Sequence, residues 1–408
     1  MLYHLYDMQQ TLLTPVRMTA EAVQNVFSHP LMPVSYTRFG RAMAAGAEMV
    51  ERATRRYGKP AFRLDSVAID GVETPVVEEV VHSKPFCDLL HFRRDTATER
   101  ADPVVLVVAP MSGHYATLLR GTVEALLPDH DVYITDWVNA ALVPMIEADS
   151  FDLDDYVDYL IEFMEFLGPE THLIAVCQPS VPVMAAVSLV SALDPAAAPR
   201  SMTLMGGPVD TRVNPTKVNR LAEERSIEWF ERSVVTTVPP TYPGFMRRVY
   251  PGFIQLSGFM SMNLDRHVGS AMKQFQHLVR GDGLSAHGHR EFYDEYLSVM
   301  DLDAAFYLQT VRVAFQDHAL PTGTWISRGR KVDPGAIRST ALMTVEGELD
   351  DISGVGQTFA AHALCTGLPA DRRRHWLQKG VGHYGIFNGR RWRTEILPQV
   401  RGFIRENR

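Results

Sequence analysis

A single cysteine stands where the sequence predicts a sharp turn between a buried strand and a helix. Residues 173–176 are apolar, Cys177 follows them directly, and a second apolar run begins at Val181. Such a turn presents a nucleophile, and small flanking residues let strand and helix pass closely. The usual pattern is G-x-S-x-G, whereas here it is Ala175-x-Cys177-x-Pro179. Alanine is small, and a proline in the first helical turn lacks only an N–H that would be unpaired there.

Cys177 has two interpretations. As a nucleophile it would need hydrogen-bond donors for the negative charge that develops on the carbonyl oxygen it attacks. The backbone N–H of Gln178 is placed for this, and a second donor is expected near Met111 or Ser112, in the loop after the first parallel strand. The alternative is an inert side chain, because free cysteine is among the most buried residue types.

Two residues that could complete a catalytic triad follow strand-like segments late in the chain. Asp350 comes shortly after the apolar run 341–345, and His383 lies in a glycine-rich loop after 375–378. Nucleophile, acid and histidine follow one another in this order in α/β-hydrolases. The sequence therefore predicts a triad of Cys177, Asp350 and His383.

The composition excludes several classes of function. The chain has 408 residues, of which 46% are hydrophobic and 22% charged, as in ordinary globular proteins. A net charge of -8 without a basic patch argues against nucleic acid as a partner. Three widely spaced cysteines indicate a reducing compartment, and we expect a cytoplasmic protein with no bound metal or other cofactor. No secretory signal or transmembrane segment is predicted.

The alternation of strand-like and helical segments predicts an α/β fold. Three alternating runs favour an antiparallel start to a sheet, and the later short apolar runs with helical crossovers favour parallel strands covered on both faces. The predicted segments are a helical extension at 1–60, the first part of an α/β-hydrolase core at 61–206, a cap inserted after the sixth strand at 207–338, and the second part of the core at 339–408.

The predicted cap is helical and rich in aromatic residues, which favours a hydrophobic groove for an apolar chain. An ordinary cap core is the alternative for most of these side chains. The candidate substrate-binding residues are Tyr242, Phe245, Tyr250 and Phe253, with Tyr384 from the loop of His383. The apolar side chains of residues 1–13 could dock on a second subunit and form a homodimer, or pack on their own domain.

The chain resembles the intracellular polyhydroxybutyrate depolymerases of the cysteine type, relatives of the polyhydroxyalkanoate synthases among the α/β-hydrolases. The stretches that carry the resemblance are 175–179, 250–253, 262–267, 347–352 and 380–385. The resemblance implies hydrolysis of amorphous polyester at the surface of cytoplasmic granules, which gives 3-hydroxybutyrate oligomers and monomer. It also favours Asp350 over Asp351 as the acid, and Asp210 is a further candidate.

Two other functions fit parts of the pattern. A polyhydroxyalkanoate synthase would use the same triad but pass the acyl group to an alcohol chain end instead of water. The synthases favour glycines around the cysteine, and Ala175 and Pro179 depart from that pattern. A non-catalytic granule-coating protein would need an apolar face but no triad, so an intact set of three residues argues against it.

Overall fold

A nine-stranded sheet forms the centre of the fold in the computed structural model, which describes residues 2–96, 100–262 and 264–408. Asn263, from one of the stretches that carry the resemblance, lies outside these ranges. Two small sheets accompany the nine-stranded one. The strands of all three sheets are, in chain order, β1 (Ser66–Ile69), β2 (Val72–Lys84), β3 (Cys87–Arg94), β4 (Val104–Val108), β5 (Asp131–Trp137), β6 (His172–Val176), β7 (Ser201–Met205), β8 (Thr236–Thr237), β9 (Arg248–Tyr250), β10 (Leu302–Asp303), β11 (Ile326–Ser327), β12 (Arg330–Lys331), β13 (Ala341–Gly347) and β14 (Arg373–Gln378). The order in the main sheet is β1-β2-β3-β5-β4-β6-β7-β13-β14, and the small sheets are β10-β9-β8 and β11-β12.

The main sheet is antiparallel at one end and parallel over the rest. Strands β1, β2, β3 and β5 pair antiparallel, and every pairing from β5 through β4, β6, β7 and β13 to β14 is parallel. All residues of β6, β7 and β13 are buried, as expected for short apolar strands with helices on both faces. These pairings confirm the predicted α/β fold with a mainly parallel sheet.

The carboxyl ends of the parallel strands lie at one edge of the sheet. The chain passes from β4 to β5 on one side and then back past β4 to β6 on the other side, so the direction of the connections reverses between β4 and β6. Ligands of open α/β sheets bind outside the carboxyl ends of strands, at such a reversal. Counted from β2, β7 is the sixth strand, and a long, mainly helical segment follows it.

Fifteen α-helices lie within the described ranges. They are α1 (Leu2–Ser28), α2 (Arg38–Thr54), α3 (Arg120–Leu126), α4 (Leu153–Leu167), α5 (Ser180–Leu193), α6 (Lys217–Glu224), α7 (Ile227–Val234), α8 (Gly252–Met262), α9 (Leu264–Arg280), α10 (Gly283–Tyr296), α11 (Ala304–Thr310), α12 (Ala319–Thr322), α13 (Ala361–Leu364), α14 (Gly389–Arg391) and α15 (Leu397–Glu406). None of these described helices combines the length and the apolar character that crossing a membrane requires.

The chain forms two compact units. The first comprises Met1–Pro60 and Pro251–Met300, and the second comprises Ala61–Tyr250 and Asp301–Arg408. The segment 207–338 is therefore shared between the units, and its role as a cap stays a prediction.

Ion pairs and ring contacts hold the first unit together. Arg290 of α10 donates to both oxygens of Glu48 on α2, each at 2.6 Å. Phe253 of α8 stacks on Tyr6 of α1, with ring centroids 4.5 Å apart. The buried carboxylate of Glu48 is thus paired with the guanidinium of Arg290, a residue far away in the sequence.

A buried ion pair in the second unit holds the loop after β5. The Arg247 guanidinium is 1% exposed and donates to Asp303 Oδ2 at 3.0 Å. It also donates to the carbonyl oxygens of Val143 at 3.1 Å and Asp149 at 3.2 Å. Burial raises the pKa of Asp303, although the N–H of Ala305 and Arg247 oppose the shift. One carboxylate and several backbone carbonyls therefore stabilise the buried guanidinium of Arg247.

We predict that Asp303→Ala lowers the free energy of unfolding by about 3–5 kcal/mol, because it leaves a buried cation without its anion. Urea denaturation followed by circular dichroism measures the change. The matched control is Glu170→Gln, which breaks the exposed pair with Arg200 and should cost at most about 1 kcal/mol. Equal losses in the two variants would contradict the structural role given to Asp303.

Candidate functional site

Cys177 occupies a strained turn between β6 and α5. Its φ is +68°, in the left-handed region that residues other than glycine rarely adopt. Hydrogen bonds fix this conformation on both sides, since the N–H of Cys177 donates to Met205 O at 2.7 Å and its carbonyl accepts from Ser180 N–H at 3.1 Å. Pro179 already has helical dihedral angles, φ -55° and ψ -18°. The thiol is half-buried and forms no disulfide.

Gly207, which lies just after the neighbouring strand β7, allows the chain to pass close to the turn of Cys177. A Cβ atom on Gly207 would lie 2.0 Å from Ser180 Oγ and 2.9 Å from the Cys177 carbonyl oxygen. The end of β7 therefore packs directly against the turn.

His383 and Asp350 form a buried hydrogen-bonded pair. His383 Nδ1 lies 2.7 Å from Asp350 Oδ2, and the two side chains are 5% and 1% exposed. The other carboxylate oxygen accepts from the N–H groups of Ile352 and Ser353, both at 2.9 Å. A carboxylate can only accept, so the proton lies on Nδ1. Cys177 is close enough to the ring to interact with it electrostatically.

The electrostatic surroundings favour the protonated form of His383. Burial alone would lower its pKa, but Cys177 and Asp350 raise the pKa well above its usual range. A histidine with this environment accepts a proton readily from a neighbouring thiol. The arrangement can therefore generate a thiolate beside an imidazolium.

The other two candidate acids have different surroundings. Asp210 accepts from Arg212 through both carboxylate oxygens at 2.8 Å. Burial would raise the pKa of Asp210, but its hydrogen bonds with Arg212 hold it below the usual range. Asp351 is exposed. Of the three acids, Asp350 is the one that the structure places within hydrogen-bonding distance of His383.

The loop after β4 lies beside the turn of Cys177. Val108 is the register partner of Ala175, so the residues after each strand leave the same edge next to one another. Met111 is buried and Ser112 is half-buried. The loop is anchored at Ala109, whose carbonyl accepts from Trp137 Nε1 at 2.8 Å. Oxyanion stabilisation by the N–H groups of Gln178, Met111 and Ser112 stays a prediction.

Several supporting residues were missed by the sequence analysis. Glu346 is a buried carboxylate that accepts from the N–H groups of Gly356 and Thr358, at 3.0 Å and 2.8 Å. The Thr358 hydroxyl in turn donates to Gly207 O at 2.9 Å. The signal in the sequence was a glutamate at the end of an apolar strand. Its hydrogen-bond partners could not be predicted, because they depend on how the loop after β13 folds back on that strand.

The side-chain amide of Gln178 has an unusual environment. Both its oxygen and its nitrogen are buried, and neither has a hydrogen-bond partner among the described residues. An unsatisfied buried polar group typically costs about 1–3 kcal/mol. Such a group next to the Cys177 thiol is expected to find its partner in something that binds there.

The predicted substrate-binding residues are distributed over both units. Tyr384 lies beside His383, with ring centroids 5.9 Å apart. Tyr250 packs on Tyr307 at 4.1 Å. Tyr242 is half-buried and Phe245 is 46% exposed in the second unit, whereas Phe253 belongs to the first unit, where it stacks on Tyr6. In the described part of the chain, no group of three or more His, Cys, Asp or Glu residues is arranged to hold a metal ion.

Comparison with known proteins identifies one family. The family model described as PHB de-polymerase C-terminus matches residues 206–408. No curated protein matches the chain. Similar solved structures include a 2-hydroxy-6-oxo-6-phenylhexa-2,4-dienoate hydrolase from Rhodococcus sp. strain RHA1, with a TM-score of 0.46, 12% identity, and coverage of 81% of this chain and 99% of that chain. A thermophilic esterase from Thermogutta terrifontis has a TM-score of 0.41, 13% identity, and coverage of 84% and 97%.

The conformation of His383 should depend on Gly206. This glycine has a φ of +60°, and a Cβ atom on it would lie 2.6 Å from Ile386 Cδ1 and 3.2 Å from His383 Cε1. We predict that Gly206→Ala displaces the His383 ring and slows alkylation of Cys177 by iodoacetamide at neutral pH by about tenfold or more, since thiolate is the reactive form.

Gly323→Ala is the matched control for this variant. Gly323 also has a positive φ, +68°, but has no heavy atom within 4 Å of its Cβ position. It should share the backbone strain and keep the alkylation rate of the unmodified protein. Unchanged alkylation in Gly206→Ala would show that the ring does not depend on this glycine.

Proposed function

Since residues 206–408 belong to the PHB de-polymerase C-terminus family, we propose that the protein hydrolyses the ester bonds of poly(3-hydroxybutyrate). The observation that supports the proposal is the hydrogen bond between His383 and Asp350 beside Cys177, at the carboxyl edge of the sheet. The products would be 3-hydroxybutyrate oligomers and monomer. The place of action would be the granule surface in the cytoplasm.

In the first half of the proposed reaction, Cys177 forms a thioester with the substrate. His383 takes the thiol proton while sulfur attacks the ester carbonyl carbon. Asp350 holds the ring with Nδ1 protonated and stabilises the imidazolium, as the acid does in serine triads. Backbone N–H groups of Gln178 and of Met111 or Ser112 would stabilise the oxyanion. The C–O bond then breaks, and His383 gives its proton to the leaving alcohol oxygen.

In the second half, water releases the acyl group. The now neutral His383 takes a proton from water, whose oxygen attacks the thioester carbonyl. The resulting intermediate collapses, sulfur leaves, and the proton on His383 returns to Cys177. The carboxylic acid product is released, and no further reactant is needed. A synthase would place the hydroxyl of a growing polymer chain where the hydrolase places this water.

We predict that Cys177→Ala folds but releases no soluble 3-hydroxybutyrate from amorphous polymer granules, because the acyl acceptor is gone. Cys365→Ala should retain activity, since Cys365 is fully buried and burial raises the pKa of its thiol to about 12. Chromatography of the soluble products measures the release. The same preparation is tested for polymerisation of 3-hydroxybutyryl-coenzyme A, and polymer growth without soluble product would overturn the proposed hydrolysis in favour of the synthase.

Asp350→Asn should lower turnover by up to about 10⁴-fold, because an amide can donate to Nδ1 and stabilise the wrong tautomer of His383. Asp210→Asn and Asp351→Asn are the matched controls and should have much smaller effects, since Asp210 pairs with Arg212 and Asp351 is exposed. Initial rates at saturating substrate compare the three variants. A larger loss in Asp210→Asn than in Asp350→Asn would refute the proposed acid.

A further inference from the structure

Two loops of the second unit present exposed apolar side chains. One follows β5 and the other precedes β9. The exposed residues are Leu142, Met145, Ile146, Phe245 and Met246, which together are named the Ile146 patch. Ile146 is 96% exposed and Met246 is 65% exposed. Exposed apolar residues clustered on neighbouring loops are typical of an interaction surface.

Backbone hydrogen bonds join the two loops into one surface. The N–H of Gly244 donates to Ala141 O at 2.9 Å, and a Cβ on Gly244 would lie only 2.8 Å from Ala140 O. Arg247, from the second loop, donates to Val143 O in the first loop at 3.1 Å. The Ile146 patch is therefore held in place before anything binds to it, which reduces the entropy lost on binding.

The backbone at Met246 points to a function for this exposure. Its φ is +74°, a strained value for a residue with a side chain, and the side chain projects into solvent. Strain of this kind persists only where the surroundings impose it, and it occurs most often at functional sites. Here backbone hydrogen bonds hold the conformation, since Met246 N–H donates to Val238 O at 3.1 Å and the Arg247 carbonyl accepts from Val238 N–H at 2.9 Å.

The Ile146 patch lies at the edge that carries Cys177. Strands β5, β4 and β6 are parallel, so the loop after β5 and the turn after β6 leave the sheet at the same edge. A surface held by the patch would therefore face this edge.

The charge around the Ile146 patch indicates which kind of surface it can bind, an anionic lipid surface or an uncharged apolar one. The sequence contains no Lys or Arg from 138 to 199. Glu147 and Asp149 are exposed beside the patch, Arg247 is buried, and Arg248 pairs with Glu231 at 2.7 Å. Anionic lipid surfaces attract clusters of basic residues. This acidic, apolar surface fits an uncharged apolar partner instead.

We propose that the Ile146 patch docks on the bare polyester surface of the granule and holds the Cys177 edge against it. The proposal rests on the proposed function, which supplies an uncharged, apolar and insoluble substrate. Docking would raise the local concentration of ester groups without contributing to the chemistry at the thiol.

The test compares Ile146→Asp and Leu142→Asp/Ile146→Asp with two controls of similar exposure. Leu193, 79% exposed, lies at the end of α5 that faces the opposite edge of the sheet, and Leu12, 68% exposed, lies on α1 in the first unit. Both are changed to Asp. Binding to protein-free amorphous polymer granules is measured by co-sedimentation in a Cys177→Ala background, and hydrolysis of a soluble 3-hydroxybutyrate trimer is measured with Cys177 intact.

We expect Ile146→Asp to weaken granule binding and slow granule hydrolysis by about tenfold, with the double variant lower still. The reason is that a charge replaces apolar area that docking on the granule would bury. Hydrolysis of the trimer should be unchanged, and both controls should bind normally. Normal granule binding by the double variant, or loss of binding in Leu12→Asp, would overturn the docking proposal. So would a dimer that Ile146→Asp converts to monomer, or binding to phosphatidylglycerol vesicles that exceeds binding to granules. Failure of the unmodified protein to hydrolyse the trimer would instead contradict the proposed function.

Discussion

The packing around two glycines at the end of β7 determines the geometry of the site. Gly207 contacts the turn of Cys177, and Gly206 lies beneath the ring of His383. A Cβ atom on Gly207 would lie 2.9 Å from the Cys177 carbonyl oxygen, and one on Gly206 would lie 2.6 Å from Ile386 Cδ1 and 3.2 Å from His383 Cε1, so an added methyl group would disturb the packing of Cys177 or of His383. Protein interiors are packed densely enough that such a change is not absorbed. The site therefore depends on a strand whose own side chains take no part in the proposed reaction.

Two buried carboxylates extend this packing into the loop after β13. Asp350 accepts from the backbone of Ile352 and Ser353, and Glu346 accepts from Gly356 and Thr358. Hydrogen bonds to an ionised group are stronger than neutral ones, and burial strengthens them further. The loop is thereby held at its start and in its middle. The Thr358 hydroxyl of this loop donates to the carbonyl oxygen of Gly207, which connects the loop of Asp350 to the turn of Cys177.

Much of the fold follows from local patterns, whereas the details of the site do not. The apolar runs that became β4, β6, β7 and β13 were evident because continuously buried strands have a simple signature. The sequence left Asp210 as a further candidate beside Asp350, because both residues follow strands in the same fold. What separates them is that Arg212 lies beside Asp210, and His383 beside Asp350.

Long-range packing was the least predictable part. Residues 251–300 form one compact unit with the first sixty residues through contacts such as Arg290 with Glu48. Neither helix carries a local signal for its partner, since an amphipathic face specifies that it packs but not against which face. Phe253 illustrates the consequence, because its stacking on Tyr6 was not predicted from the sequence, while its part in substrate binding stays a prediction.

The triad by itself leaves open which acceptor takes the acyl group. In the proposed mechanism, a thioester on Cys177 can be attacked by the hydroxyl of water or by the hydroxyl of a polymer end, and His383 would activate either one. The difference must come from the groups around the thioester. Gln178 directly follows Cys177, and its buried amide offers both donors and an acceptor that no described residue uses. A hydroxyl group can pair with both kinds of atom, so this amide has the chemistry to hold the attacking oxygen next to the thioester.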